Sequence, residues 1–333
     1  MDGKKKRSLL QRILVFALAL FVIAALGAGL YMRQMSALVE PMGTDATMSR
    51  QQAAEYADAS TDPAGPGEDS LVLEPEDIQW DSIPASGELT TGQHTNILII
   101  GTDRQQDGIS RADVIMLCAI DRNNNKMFMV SFLRDMYVPI PGFTANRINA
   151  AYAFGGATLL KSCLESNFGV TVDHTVEVDF QGFASVIDHL GGVEITVDKN
   201  EASYLGLSAE GAQLLNGETA LSYVRMRTAD GGDFARTERQ QKVLSAMGKR
   251  ITTAGIGTMH KCLSSILRHV KTDLDMPVIL GLLPQILSIS ANKNCKSLQI
   301  PAAGTYRDAW VSGMQVLVPD LAANRAVLRQ NII

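Results

Sequence analysis

Arginines and aspartates in this sequence gather at the ends of apolar runs, and the chemistry is to be sought there. Asp103 follows the run Asn96–Ile100 and its closing Gly101. Arg111 and Asp113 precede a second run, Val114–Ile120, and Arg134 and Asp135 follow a third, Met127–Phe132. Further on, Val224-Arg225-Met226-Arg227 sets arginines at alternate positions, which share one face if the segment is extended. Asp230, Asp233, Arg236, Arg239 and Gln240 come soon after, and Arg236 and Gln240 stand at i and i+4, one side of a helix. A guanidinium is a planar fork of donors that matches phosphate oxygens in pairs. A diphosphate presents several such oxygens. Aspartates beside one suit a hard divalent cation such as Mg²⁺, which takes oxygen ligands together with substrate phosphates. Any single Arg–Asp pair is better explained as a surface ion pair. The number of these clusters at strand ends, where α/β sheets carry their sites, favours a phosphate site over that reading.

Other chemistries find little support. There is no Gly-rich P-loop ending in Lys-Ser/Thr, no Gly-x-Ser-x-Gly elbow and no His-Glu-x-x-His pair. The histidines (His94, His174, His189, His260, His269) read as surface or core residues. Gly155-Gly156 and Gly191-Gly192 read as turns. Cys118, Cys163, Cys262 and Cys295 are widely spaced, which argues against a zinc site. Disulfides and buried thiols both remain open for them. A formal net charge of -5 argues against a nucleic-acid partner, and 46% hydrophobic residues are enough for a sizeable core.

The elements that must position the arginines are legible in outline. Asn96–Ile100, Val114–Ile120 and Met127–Phe132 read as buried strands, the last two joined as a hairpin through Asp121–Lys126. Asn149–Phe168 reads as a helix, His174–Val178 as a strand, Gln181–Leu190 as an amphipathic helix and Val193–Val197 as an alternating strand. Ser208–Leu215 looks like a short helix before Asn216-Gly217. Ala220–Arg227 fits either a strand or a helix end. Thr237–Ile251, Thr258–Val270 and Pro277–Ser290 read as helices, and Lys296–Pro301 as a strand. The fold class is α/β, a mixed central sheet covered by helices on both faces.

The N-terminus sets the topology. Lys4, Lys5, Lys6, Arg7 and Arg12 precede Ile13–Tyr31, which has no charged residue. A helix of roughly 19 residues nearly spans a hydrocarbon core, and the bases hold its start in the cytoplasm. The run is longer than the apolar core of a cleaved signal peptide and lacks a clean cleavage motif. An uncleaved signal anchor is expected, with the rest of the chain outside. From Ser36 to about Gln93 carboxylates dominate, Arg50 is the one base, and Pro63–Gly67 adds breakers. This predicts an acidic, extended stalk with no catalytic role. The organisation is then a cytoplasmic tail at 1–12, a transmembrane helix at 13–31, a stalk at 32–93 and a catalytic domain at 94–333.

With these residues in hand, the sequence resembles the LytR-CpsA-Psr family of bacterial cell-envelope proteins. The matching blocks are Asn96–Asp103, Ser110–Asp113, Ser131–Asp135, Arg147–Gly156, Asp188–Val193, Leu215–Gly217, Tyr223–Arg227 and Asp233–Gln241. They cover about Thr95–Ile251 densely and in order. Arg147 stands where the family more often has lysine, and Phe132-Leu133 precedes Arg134 where Ile-Pro is common. The resemblance implies transfer of a glycopolymer such as teichoic acid or capsular polysaccharide from an undecaprenyl-pyrophosphate carrier to peptidoglycan, outside the membrane. It implies Mg²⁺, or Mn²⁺ in its place, at Asp103 and Asp113, and a diphosphate held by Arg111, Arg134, Arg225, Arg227 and Arg236 with Arg239 and Gln240 in support. Asp103, Asp113 and Arg134 are then the catalytic candidates, with either aspartate a general base only where metal leaves it available. The implied partners are the carrier-linked polysaccharide, peptidoglycan and the lipid bilayer. A hydrolase of the carrier diphosphate would use the same residues with water as nucleophile. A polymer-binding scaffold is a further alternative. A DNA-binding regulator is not, because Met1–Arg12 is too short for such an element.

Overall fold

The computed structural model describes residues 40–41, 47–80, 94–104, 110–226, 232–253, 270–291 and 294–332. In chain order the elements are β1 (Glu40–Pro41), α1 (Arg50–Ala59), β2 (Val72–Leu73), β3 (His94–Arg104), β4 (Ser110–Asp121), β5 (Lys126–Phe132), β6 (Tyr137–Val138), β7 (Asn146–Arg147) and α2 (Ile148–Phe168). There follow β8 (His174–Asp179), α3 (Phe180–His189), β9 (Val193–Val197), α4 (Lys199–Tyr204), β10 (Gly211–Leu215), α5 (Gly217–Arg225) and α6 (Gly232–Thr253). The chain ends with β11 (Val270–Thr272), α7 (Met276–Ala291), β12 (Cys295–Ile300), β13 (Tyr306–Val311), β14 (Met314–Pro319) and α8 (Leu321–Ile332).

The central sheet has the order β1-β11-β8-β3-β4-β5-β12. It is mixed: β3 runs parallel to β8 and antiparallel to β4, and β12 runs parallel to β5. Alternation along β3 explains why both faces are covered. Leu98 and Ile100 face a core shared with Leu160, Leu164 and Phe168 of α2 and Leu321 and Leu328 of α8. Ile97 faces the other way, with Ile120, toward Leu282 and Ile289 of α7. A second cluster joins α3, the β9–β10 hairpin, α5 and α6 through Ile187, Val193, Leu215, Tyr223 and Val243. The mixed sheet with helices on both faces is therefore as expected.

Several local expectations are corrected. Gly211–Leu215 is a strand paired with β9, not a helix. An isolated helix that short has little stability, and the edge of β9 offers it a ladder instead. Asn216-Gly217 is a helix start: the Asn216 carboxamide oxygen accepts from the Thr219 N–H at 2.9 Å. Ala220–Arg225 is accordingly helical, so the extended alternative for that segment is ruled out as far as Arg225. Gly155-Gly156 does not end a helix but kinks α2, with Gly156 at φ 61 and ψ -157, a conformation reserved for glycine. The C-terminal β13–β14 hairpin and α8 had no counterpart in the sequence reading.

The acidic stretch is the largest correction. Its described residues fold against the domain rather than extending from it: Glu40–Pro41 pairs with β11, and residues 47–80 pack on the cores. Ala53 lies in the main core, and Ile78 lies in the cluster under β13–β14. Trp80 stacks on Tyr137 with centroids 6.3 Å apart. Acidic composition suggested a solvated chain, but a few apolar side chains at helical and turn spacing are enough to dock it. No described helix is long and apolar enough to cross a membrane, and Ile13–Tyr31 lies outside the described residues, as do 254–269 and Cys262. Cys118, Cys163 and Cys295 are free thiols, and burial pushes the first two up to about 12.

The start of α5 offers a test of this packing. A Cβ on Gly217 would fall 2.1 Å from the Ala184 carbonyl oxygen of α3. Backbone against backbone cannot yield cheaply, so Gly217→Ala is expected to lower stability by about 1–3 kcal/mol, read as a depressed thermal midpoint.

Candidate functional site

The site grows from an irregularity between β3 and β4. Gly101 pairs with Val114 and Thr102 with Ala112, which leaves Asp113 as an extra, unmatched residue. This is a β-bulge, a device that re-aims side chains at the edge of a functional region. Gly101 permits it by having no Cβ, since one would sit 2.8 Å from the Val114 Cβ.

Three chain segments meet at Asp113. Arg134, just past the end of β5, donates from Nη1 to Asp113 Oδ1 at 2.7 Å. Arg236, near the start of α6, donates from Nη2 to the Asp113 backbone carbonyl at 3.1 Å. Arg111 stands two positions before Asp113 on β4, with its guanidinium carbon 4.9 Å from the centroid of the Tyr56 ring. Its Nε is buried and makes no hydrogen bond among the described residues. A second contact fixes α6 over this end of the sheet: Gln241 donates from Nε2 to Ser131 Oγ at 2.9 Å. Gln240, on the same helix, is buried.

A row of alternating charge continues outward. Arg134 Nε is 3.5 Å from Asp135 Oδ2, and Asp135 Oδ1 is 3.9 Å from Arg147 Nε. Arg147 in turn donates from Nη2 to Asp62 Oδ2. Asp113, Arg134, Asp135 and Arg147 are all partly covered, so their attraction is screened less than that of pairs in open water.

Not every expected residue joins. Arg239 lies deeper, donating from Nε to Glu201 Oε1 at 2.9 Å and from Nη1 to the Met226 carbonyl at 3.0 Å. Both members of the pair are only 6% exposed. Beside them burial, and next the Glu201 carboxylate, push the Tyr223 hydroxyl well above the ordinary tyrosine range. Arg239 is therefore a tie between α4, the end of α5 and α6. Arg225 closes α5 with an exposed side chain. Arg227 and Asp230 lie outside the described residues. The backbone of Asp103 pairs opposite Arg111, and its side chain, like that of Asp233, is outside the description.

Among the described residues, no group of three or more potential metal ligands converges. Asp113 is the one expected metal ligand with a described carboxylate, and its Oδ1 already accepts from Arg134. Sequence reasoning missed Glu201, Tyr56 and Asp62. Glu201 carried a visible signal, since Asp198-x-x-Glu201 forms a capping box. Tyr56 and Asp62 carried none, because they lie in the stretch whose composition argued for a stalk.

Comparison with known proteins decides the relationship. The sequence model of the LytR_cpsA_psr family matches residues 49–331. The chain belongs to this family. It is 37% identical over 229 residues to the regulatory protein MsrR of Staphylococcus aureus, covering 67% of this chain and 69% of that protein. It is 34% identical over 226 residues to the polyisoprenyl-teichoic acid--peptidoglycan teichoic acid transferase TagU of Oceanobacillus iheyensis, covering 65% of this chain and 69% of the relative. Among solved structures it is similar to TagT bound to LIIa-WTA, at a TM-score of 0.61 and 29% identity, covering 72% of this chain and 91% of that one. The family match begins at 49, in agreement with the folding of residues 47–80 onto the domain.

The geometry separates structural from site arginines, and stability measurements test the separation. Arg239→Ala leaves Glu201 buried without its cation and is expected to cost about 3–5 kcal/mol. Arg134→Ala, in a wetter pair, is expected to stay within about 1 kcal/mol of the parent in the same denaturant titration.

Proposed function

We propose that this chain is a phosphotransferase that moves a glycopolymer from an undecaprenyl-pyrophosphate carrier to peptidoglycan. The observation that carries the reading is the convergence of Arg134 and Arg236 on the bulged Asp113, with Arg111 alongside. Guanidinium groups from a post-strand loop and a helix meet there, and a third arginine stands two positions away on the strand, which suits an anion with oxygens on several sides. The family membership and the likeness to TagT bound to LIIa-WTA support the substrate class, and the relatives named as teichoic acid transferases support the reaction.

The reaction needs little covalent chemistry from the protein. A hydroxyl oxygen of a peptidoglycan sugar forms a bond to the phosphorus nearest the polymer. The bond from that phosphorus to the bridging oxygen breaks, and the lipid leaves as a monophosphate. The hydroxyl proton passes to a base, for which Asp103 and Asp113 are the candidates. Charge builds on the leaving phosphate, and preorganised donors aimed at it lower the barrier. Arg111, Arg134 and Arg236 are those donors, with Arg225 and Arg227 as further candidates and Gln240 in support. We place Mg²⁺, or Mn²⁺ in its stead, at Asp103 and Asp113. When bound it supplies Lewis-acid neutralisation of the phosphate oxygens. Such an ion commonly takes only one or two carboxylates and completes its shell with substrate and water, so a dense carboxylate cage is not required.

The topology is part of the proposal. Ile13–Tyr31 as an uncleaved anchor, with the bases of residues 4–12 inside, puts the domain on the outer face of the cell membrane beside a lipid-borne substrate. No nucleic acid is among the partners.

The test is transfer from a defined lipid-diphosphate oligosaccharide to peptidoglycan by the full-length protein. Covalently attached oligosaccharide is expected, and phosphate release without attachment would mark a hydrolase instead. Arg134→Ala is expected to reduce transfer by about 10²–10³-fold. Transfer at the parental rate by that variant would remove Arg134 from the site.

A further inference from the structure

We propose that Tyr56 and Asp62, in the segment ahead of the domain's first long strand, are positioning residues that set the site's arginines, a role that rests on the function proposed above. The segment enters the fold at defined points. The Met48 N–H donates to the Phe154 carbonyl at 2.7 Å, just before the kink in α2. Ser49 then starts α1 with a reciprocal capping box to Gln52. These contacts fix the N-terminal end of α1, the helix that carries Tyr56.

Tyr56 holds Arg111 in a way suited to an anion site. Phe154 meets the Tyr56 ring edge-on at 5.5 Å and 85°, while the Arg111 guanidinium lies over the ring at 4.9 Å. A carboxylate in that place would fix the arginine but cancel its charge. An aromatic face fixes it through the ring quadrupole and leaves the charge and N–H groups for a ligand. The Arg111 Nε is buried and has no hydrogen-bond partner among the described residues, so the ring face is the contact that fixes this end of the side chain.

Asp62 acts on the other flank. Its carboxylate accepts from Arg147 Nη2 and, at 2.7 Å, from the Gln315 N–H, and Arg147 Nη2 also donates to the Gln315 carbonyl at 2.8 Å. Asp62 is itself pinned to the β13–β14 turn, its N–H donating to the Gly313 carbonyl at 2.9 Å. Arg147 Nη2 is thereby held by Asp62, while its Nε stands 3.9 Å from Asp135, which Arg134 approaches at 3.5 Å. Without the Asp62 charge, Arg147 competes for Asp135 and loosens the orientation of Arg134. The same peptide segment that leads in from the N-terminus thus contacts both Arg111 and Arg147.

The experiment uses full-length protein, with geranyl diphosphate as the binding probe and the transfer assay for rates. Tyr56→Leu is expected to weaken geranyl diphosphate binding about tenfold, while Tyr56→Phe, which keeps the ring, binds like the parent. Asp62→Asn is expected to lower kcat about tenfold without weakening the probe, because removing a negative charge cannot repel a diphosphate. Thermal midpoints of all three should stay near the parental value, which separates positioning from folding. Equal binding by Tyr56→Leu and Tyr56→Phe, or a parental kcat for Asp62→Asn, would overturn the inference. A parent protein that binds the probe but transfers nothing would instead sink the proposed function, and the Tyr56 pair would then decide the inference alone.

Discussion

The contact between Arg134 and Asp113 is the constraint on which the rest of the site depends. It joins the loop after β5 to a residue that exists as an extra position only because β3 and β4 are out of step by one. Arg236 reads the same residue from the other side, through its backbone carbonyl, and so ties α6 to the sheet. Arg134 is shared between Asp113 and Asp135, and Arg111, two positions before Asp113, lies over the Tyr56 ring. Holding like charges at neighbouring positions costs stability and suits a site that takes an anion.

Arg134 and Arg239 show how little residue type alone can say. Both stand among aspartates and glutamates in motif-rich stretches, and the sequence reading gave both to the diphosphate. Burial separates them. Arg239 and Glu201 are nearly excluded from solvent, and their charges satisfy each other inside the helical cluster. Arg134 keeps partial exposure and divides itself between Asp113 and Asp135. A buried, closed pair serves the fold, whereas a shared, half-open one can release donors to a ligand.

What the sequence revealed follows from period and punctuation. Apolar runs closed by Gly101 or flanked by Arg134-Asp135 marked the sheet and the rim of the site, because a buried strand must be apolar and its ends need not be. The helix α6, with Arg236 and Gln240 on neighbouring turns, was legible from spacing alone. Gly211–Leu215 was not, because its strand character comes from pairing with β9, a partner that lies outside any local window. Residues 47–80 were misread for a related reason. Their charge describes the exposed side of α1, while the few residues that dock it, Ala53, Tyr56 and Ile78, are too sparse to change the composition. The role of Tyr56 is visible only once Arg111 is placed above it.

The most direct test of the central claim is an experimental structure of the protein with a short-chain prenyl diphosphate bound. The account predicts diphosphate oxygens at hydrogen-bond distance, about 2.7–3.0 Å, from Arg111, Arg134 and Arg236 together, at the bulge that carries Asp113. A diphosphate seated elsewhere, with the Arg134–Asp113 pair undisturbed and those arginines unused, would contradict it.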